Sequence, residues 1–242
     1  MNKIFVVNLD SAKDRWKHYE GDDRFTRWSA TSRKDLTEND PVFKRMISYH
    51  NINPDEHIAK CCCYVSHRNI YRYIVANKMN KVLILEDDAF QVNDIPNPDD
   101  LPDDGFTYLA GFSNHLQMVK GPLKVDFKEG INEIKHNEYR MIMCLAIYIP
   151  NWQTARRMYD SLDYNGRCRA VDTMLRNAFC PQYVQYPAVF VERPDPSQIR
   201  KNKRKFSNSK YEHVSAKMIM EEINLFQYKN PKDLNISAKS ED

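Results

Sequence analysis

The stretch that decides the fold reads Lys81-Val82-Leu83-Ile84-Leu85-Glu86-Asp87-Asp88-Ala89-Phe90. Its four consecutive branched apolar residues, Val82 to Leu85, predict a short strand buried on both faces. Three carboxylates follow directly, and adjacent carboxylates repel one another unless a cation neutralises them. Ligands of α/β sheets bind at the carboxyl ends of strands. The cluster therefore indicates either a metal site or a solvated acidic turn.

Carboxylate oxygens at such a strand end suit Mn²⁺ or Mg²⁺, which usually take one or two protein carboxylates and further oxygens from substrate phosphates. Side chains alternate along a strand. Continuing that alternation beyond Leu85 puts Glu86 and Asp88 on one face and Asp87 on the other. On the metal interpretation, Asp88 is therefore the expected direct ligand and Glu86 the second metal-binding residue, with Glu86 or Asp87 alternatively turned toward the ribose of a nucleotide or supporting the ligand from behind.

The composition is that of a globular protein. The 242 residues are 42% hydrophobic and 12% aromatic, which suits one domain or one domain with an appendage. The formal net charge of +3 does not indicate a nucleic-acid-binding protein. The six glycines form neither a GxGxxG motif nor a P-loop. This argues against dinucleotide-binding Rossmann enzymes and P-loop NTPases.

The cysteines and the N-terminus indicate a protein of a reducing compartment. None of the six cysteines forms a CxxC pair, so mostly buried free thiols are expected. Met1 leads directly into an apolar strand without a signal-peptide cleavage region. No apolar run approaches the ~20 residues that a membrane span needs. A cytoplasmic location is therefore expected.

Hydrophobic periodicity predicts alternating strands and helices, and hence an α/β fold. Strands are predicted at residues 4–7, 25–30, 82–85, 106–110, 141–149 and 183–192, the last as an edge strand because Pro187 interrupts it. Helices are predicted at residues 12–19, 41–49, 63–77, 151–162, 173–179 and 211–228, the first capped by Asp10 or Ser11. Residues 113–138 lack a clean period and predict an irregular insert.

Two further features each have more than one interpretation. His67 lies on the apolar face of the helix at 63–77, either as a ligand-binding group or as a core histidine with a hydrogen-bond partner. Residues 193–210 are strongly basic. They either close over a diphosphate, contact an anionic polymer or the surface of a membrane, or link to the last helix.

Several motifs, taken in order along the chain, resemble those of glycosyltransferase family 25, the lipooligosaccharide-biosynthesis and collagen galactosyltransferase family. They extend from Ile4 to Ile199 and comprise Asn8-Leu9 with Arg15, Trp28-Ser29-Ala30-Thr31, Cys63-x-x-Ser66-His67, Leu85-Glu86-Asp87-Asp88, Ala146-Ile147-Tyr148, Val171-Asp172, Tyr186-Pro187 and Ser197-Gln198-Ile199. Cys62, Tyr64 and Gln198 stand where the family usually has a Gly, a small residue and an Asp.

The resemblance implies a single Rossmann-like nucleotide-sugar-binding domain of the glycosyltransferase A type over residues 1–200. Its mixed central sheet is expected to be flanked by helices, with residues 201–242 packed on the domain. The implied reaction is metal-dependent, inverting transfer from a nucleotide-diphosphate donor, of the UDP-hexose kind, to a hydroxyl of a glycan, glycolipid or glycoprotein, as in lipopolysaccharide biosynthesis. The residues expected to bind the donor are Asn8, Leu9, Arg15, Ser66, His67, Glu86 and Asp87.

Inverting transfer also needs a carboxylate that deprotonates the attacking hydroxyl. Asp172 falls at the family's matching Asp and precedes a predicted helix, so it is either that base or a helix cap. Glu192 is the next candidate. Without a signal anchor, the cytoplasm of a bacterial cell or of a virus-infected host is the expected location. Two other functions remain open: a metal-dependent nucleotidyltransferase, and a non-catalytic nucleotide-sugar-binding or glycan-binding protein.

Overall fold

A computed structural model describes residues 1–36, 41–47, 54–110, 128–134, 145–163, 170–175 and 178–193. The basic segment beyond Arg193, the domain boundary expected at residue 200, the motif at 197–199 and the helix predicted at 211–228 lie outside these residues. The same holds for most of the insert predicted at 113–138.

The secondary structure alternates between strands and helices. The described strands are β1 (Lys3–Asn8), β2 (Phe25–Ser29), β3 (Val82–Glu86), β4 (Ala89–Gln91), β5 (Phe106–Tyr108), β6 (Gly130–Glu133), β7 (Ala146–Ile149), β8 (Gln182–Tyr186) and β9 (Phe190–Glu192). The described helices are α1 (Lys13–Trp16), α2 (Pro41–Ile47), α3 (Pro54–Ala76), α4 (Trp152–Asp163) and α5 (Val171–Leu175), with one turn of 3₁₀ helix at Pro98–Asp100.

Seven of these strands form one mixed sheet in the order β2-β1-β3-β7-β5-β8-β6. Strand β1 runs parallel to both β2 and β3, whereas β7 runs antiparallel to β3 and β5. Strands β4 and β9 form a separate antiparallel pair. The expected α/β fold with a mixed sheet flanked by helices is therefore confirmed.

Strand β3 is buried on both faces, as its sequence predicts. Val82 and Ile84 belong to one apolar cluster, which also contains residues of α3 and α4. Leu83 and Leu85 belong to a second cluster, which contains residues of β1, β7 and β9. All four side chains have no exposed surface. Because side chains alternate along a strand, Glu86 lies on the same face as Val82 and Ile84, toward α3.

The prediction of one edge strand at 183–192 is wrong. Pro187 separates two strands that belong to different sheets, β8 and β9. Strand β8 lies between β5 and β6, so it is an interior strand of the seven-stranded sheet. Strand β6 comes from the region predicted as an irregular insert, and it protects the backbone of β8 that would otherwise be an edge.

The first helix is shorter than predicted and lacks the predicted cap. It is a single turn that begins after Ala12, and no side chain caps it. Asp10 instead accepts a hydrogen bond from Ser29 Oγ at 3.0 Å, which ties the loop after β1 to β2. Other helix boundaries also differ: α3 begins at Pro54 rather than 63, and α5 begins at Val171 rather than 173. Among the described helices, none has the length and apolar character needed to cross a membrane.

Candidate functional site

The acidic cluster is held by residues at the ends of two adjacent parallel strands. Strand β1 ends at Asn8 and β3 ends at Glu86, and Val7 is the register partner of Glu86. The fully buried Asn8 donates through Nδ2 to Asp87 Oδ2 at 2.8 Å and to the carbonyl oxygen of Ala12 at 3.1 Å. One amide thus positions both the first acidic residue after β3 and the loop after β1.

Arg15 supplies the cation that the acidic cluster requires. Its Nη1 atom lies 2.6 Å from Asp87 Oδ1 and 3.3 Å from Asp88 Oδ2. The three side chains are only 11%, 9% and 18% exposed. The guanidinium therefore offsets the repulsion between two neighbouring carboxylates. The cluster is a buried, hydrogen-bonded site and not a solvated acidic turn.

Arg27 is a second cation at this site, and the sequence analysis missed it. Its Nε donates to Asn8 Oδ1 at 2.8 Å and its Nη2 donates to the carbonyl oxygen of Leu9 at 3.1 Å. Its Nη2 also lies 3.1 Å from Asp10 Oδ1. Arg27 therefore fixes the amide of Asn8 so that its NH₂ group faces Asp87. The feature of the sequence that could have pointed to Arg27 is that it is the one charged residue within β2.

Glu86 faces helix α3 instead of sharing a partner with Asp88. Its Oε1 lies 3.3 Å from Nε2 of the fully buried His67 and 3.9 Å from Cys63 Sγ. The chain turns at residues 87 and 88 and does not extend β3, so the strand alternation stops at Glu86. The expected pairing of Glu86 with Asp88 is thus replaced by a pairing of Asp87 with Asp88 through Arg15.

His67 is a histidine with partners on both ring nitrogens. Its Nδ1 lies 3.2 Å from the hydroxyl oxygen of Tyr71, one turn further along α3. Its neighbour Ser66 is buried, donates to the carbonyl oxygen of Cys62 at 2.7 Å and accepts from the amide of Thr31 at 2.9 Å. Ser66 therefore joins the loop after β2 to α3.

Asp172 lies close enough to Cys63 for its charge to affect the pKa of the Cys63 thiol. Burial, followed by the charges of Glu86 and Asp172, raises the pKa of the Cys63 thiol. The amides of Thr173 and Met174 donate to the carbonyl oxygen of residue 170, so α5 begins at Val171. Asp172 is therefore inside the first turn and not at the cap position. A carboxylate there still stabilises the helix dipole.

Tyr19 and Arg193 close the other side of the acidic turn. The Tyr19 hydroxyl donates to the carbonyl oxygen of Ala89, and burial raises the pKa of Tyr19. The amide of Arg193 donates to the carbonyl oxygen of Asp88 at 2.7 Å. Its guanidinium carbon lies 5.7 Å from the Tyr19 ring centre and 5.3 Å from that of Phe90. The basic segment thus begins directly against the acidic turn.

The second candidate base, Glu192, is the last residue of β9. It is the register partner of Ala89 in the β4–β9 pair. The residue next to it, Arg193, bonds to Asp88 as described above. The end of β9 is therefore adjacent to the acidic turn.

The first 97 residues of the chain match the model of glycosyltransferase family 25 (LPS biosynthesis protein). This region contains β1, β2, α3 and β3 together with Asn8, Arg15, His67 and all three acidic residues. The resemblance drawn from the motifs is therefore confirmed over this part of the chain, and it supports glycosyltransferase activity. No curated protein was found to match the chain.

Proposed function

We propose that the protein is a metal-dependent, inverting glycosyltransferase. It moves a sugar from a nucleotide-diphosphate donor, of the UDP-hexose kind, to a hydroxyl of a glycan, glycolipid or glycoprotein. The observation that carries this proposal is the Asp87–Asp88 turn held by Asn8 and Arg15 at the carboxyl ends of β1 and β3. That edge is where α/β sheets bind their ligands, and it lies within the region that matches the family.

Asp88 is the residue of this turn that fits a divalent cation. Both carboxylate oxygens of Asp87 already accept short hydrogen bonds, from Asn8 and Arg15. Asp88 has a longer contact with Arg15, 3.3 Å through Oδ2, and its side chain is more exposed than that of Asp87. Mn²⁺ or Mg²⁺ at Asp88 would take its other oxygens from the donor diphosphate and water, and would neutralise the charge of the leaving diphosphate.

The other residues expected to bind the donor have supporting roles in this proposal. Asn8 and Arg15 orient the two aspartates, and the carbonyl of Leu9 holds Arg27 beside them. His67 fixes Glu86 at the end of β3, and Ser66 fixes the loop after β2. A pre-arranged set of charges and dipoles needs little reorganisation when the leaving group gains charge.

The proposed general base is Asp172, with Glu192 as the next candidate. Support for Asp172 comes from its charge, which acts on Cys63, and from its half-buried side chain at the start of α5. A base must lie within hydrogen-bond reach of the acceptor hydroxyl, which approaches the donor sugar from the side opposite the departing diphosphate. Glu192 has the second claim because its strand ends beside the acidic turn.

Two of the three departures from the family pattern are explained by packing. Cys62 and Tyr64 are both buried, and the Tyr64 hydroxyl donates to the carbonyl oxygen of Leu162 in α4. Tyr64 fills the space between α3 and α4, whereas Cys62 lies near the charges of Arg33 and Asp35 in the loop after β2. They therefore give no reason to favour a non-catalytic binding protein. The third departure, Gln198, lies outside the described residues.

A panel of nucleotide sugars with Mn²⁺ tests the proposal. Thermal shift ranks the donors, and release of the nucleoside diphosphate with and without glycan acceptors then measures transfer. The proposal expects one donor class to stabilise the protein and to release nucleoside diphosphate only when Mn²⁺ is present. Release of pyrophosphate would instead identify a nucleotidyltransferase, and tight donor binding without release would identify a binding protein.

A further inference from the structure

Three potential metal ligands of different chemistry meet between α3 and β3. They are the thiol of Cys63, the imidazole of His67 and the carboxylate of Glu86, and their ligand atoms all lie within 4.8 Å of one another. Cys63 and His67 are four residues apart on α3, so they project from the same face of the helix. Glu86 reaches them from the end of β3. We refer to these three residues as the Cys–His–Glu cluster.

The spacing of the cluster fits a small tetrahedral ion. Zinc bonds to sulfur, nitrogen and oxygen of about 2.3, 2.0 and 2.1 Å correspond, at tetrahedral angles, to ligand pairs about 3.4 Å apart for N–O and about 3.6 Å apart for S–O. His67 Nε2 lies 3.3 Å from Glu86 Oε1, and Cys63 Sγ lies 3.9 Å from the same oxygen. For these two pairs, movements of a few tenths of an ångström would bring the atoms to the tetrahedral spacing, and the third pair, sulfur and nitrogen, lies within 4.8 Å.

The environment of His67 is the one that metal-bound histidines require. Its Nδ1 lies 3.2 Å from the Tyr71 hydroxyl oxygen, inside the protein. In the metal-bound state, with the ring proton on Nδ1, that bond would hold the ring in place and leave the lone pair of Nε2 for the ion that Glu86 also binds. Histidines that bind metals almost always donate their other ring N–H to an oxygen acceptor, and the Tyr71 hydroxyl oxygen is such an acceptor here. The Glu86 side chain is 26% exposed, which gives an ion a route from solvent.

We propose that the Cys–His–Glu cluster binds Zn²⁺, separately from the metal that accompanies the donor. A thiolate with an imidazole selects zinc over the oxygen-seeking Mn²⁺ and Mg²⁺. On binding, the Cys63 thiol releases its proton to solvent and the sulfur becomes a ligand. Three protein ligands leave a fourth position for water. The ion would tie α3 to β3 one residue before Asp87, and so would brace the acidic turn.

The test is zinc binding by the full chain without any nucleotide sugar, so that its result is independent of the proposed transferase activity. Protein stripped with a chelator and dialysed against Zn²⁺ should retain one equivalent by elemental analysis and should melt at a higher temperature. Substituted Co²⁺ should show a thiolate charge-transfer absorption. Cys63→Ser should lose the retained zinc, the zinc-dependent rise in melting temperature and the cobalt absorption.

Matched variants keep the test decisive even if Cys63→Ser folds poorly. Cys180→Ser removes a thiol outside the cluster and should keep one zinc. Asp88→Asn should also keep it, because this carboxylate belongs to the donor site. Tyr71→Phe removes only the hydroxyl opposite His67 and should weaken zinc binding by about 10–100-fold. A wild-type chain that retains no zinc, or a Cys63→Ser variant that binds zinc as tightly as the wild type, would overturn the proposal.

Discussion

The ion pair between Arg15 and Asp87 should contribute far more to stability than an exposed ion pair of equal length. At an effective dielectric constant of ~20, two unit charges ~4 Å apart attract by about 4 kcal/mol. Part of that attraction offsets the cost of removing both groups from water. Arg15 and Asp87 are 11% and 9% exposed, so little solvent screening remains. We expect a coupling energy of about 2 kcal/mol.

A double-mutant cycle measures this coupling. Arg15→Met and Asp87→Asn are made singly and together, and the free energy of unfolding of each is measured by urea titration. Arg15→Met alone should cost about 3 kcal/mol, because it removes the cation from the buried Asp87 and from its half-buried neighbour Asp88. The double variant should be more stable than the sum of the two single losses predicts.

The exposed pair of Arg24 and Asp22 is the matched control. Its N–O distance is also 2.6 Å, but its side chains are 59% and 37% exposed. The same cycle with Arg24→Met and Asp22→Asn should show much weaker coupling, because solvent screens both charges. Equal coupling in the two cycles would contradict the view that burial makes the Arg15 pair strong.

Three further predictions concern the base, a buried thiol and a buried hydroxyl. If Asp172 is the general base, Asp172→Asn should lower kcat by roughly 10²–10⁴ with little change in donor affinity or melting temperature. Burial raises the pKa of Cys62 to about 11 from 9.0. The thiol therefore ionises at lower pH in the unfolded chain, and wild type should lose about 1–2 kcal/mol more stability than Cys62→Ser as the pH rises from 9 to 11. Tyr64→Phe should cost about 1–3 kcal/mol in urea unfolding, because it leaves the buried carbonyl of Leu162 without this donor.

Each of these predictions has an outcome that would contradict it. A less stable Asp172→Asn with full turnover would restrict Asp172 to stabilising α5 and would direct attention to Glu192. Parallel pH profiles for wild type and Cys62→Ser would show that this thiol ionises alike in both states. An unchanged free energy of unfolding in Tyr64→Phe would mean that another donor takes over the carbonyl.

The sequence predicted the centre of the fold well because its pattern there is unambiguous. Val82 to Leu85 is apolar without interruption, and such a run fits a strand covered on both faces. The carboxylates after it, at the carboxyl end of the strand, indicated the site itself. The family resemblance identified Asn8, Arg15 and His67 as residues of interest, and the structure brings each of them to one of the acidic residues.

The partners within the site could not be read from the sequence. The alternation that would pair Glu86 with Asp88 holds only while the strand continues, and the chain turns directly after Glu86. Arg27 reaches Asn8 because β2 lies beside β1, a relation that depends on sheet order and not on local pattern. Pro187 likewise suggested an edge strand, whereas β6 covers β8 through a pairing from a region without clear periodicity.

The most direct test of the account is Mn²⁺-dependent nucleotide release by Asp88→Asn. Asp100→Asn, a change in the 3₁₀ turn at Pro98–Asp100, serves as the control for the loss of one carboxylate from the same part of the chain. We predict that Asp88→Asn melts within a few degrees of wild type and releases no nucleotide in response to Mn²⁺, while Asp100→Asn behaves as wild type. Near-normal Mn²⁺-dependent turnover by Asp88→Asn would contradict the assignment of the acidic turn as the donor-metal site.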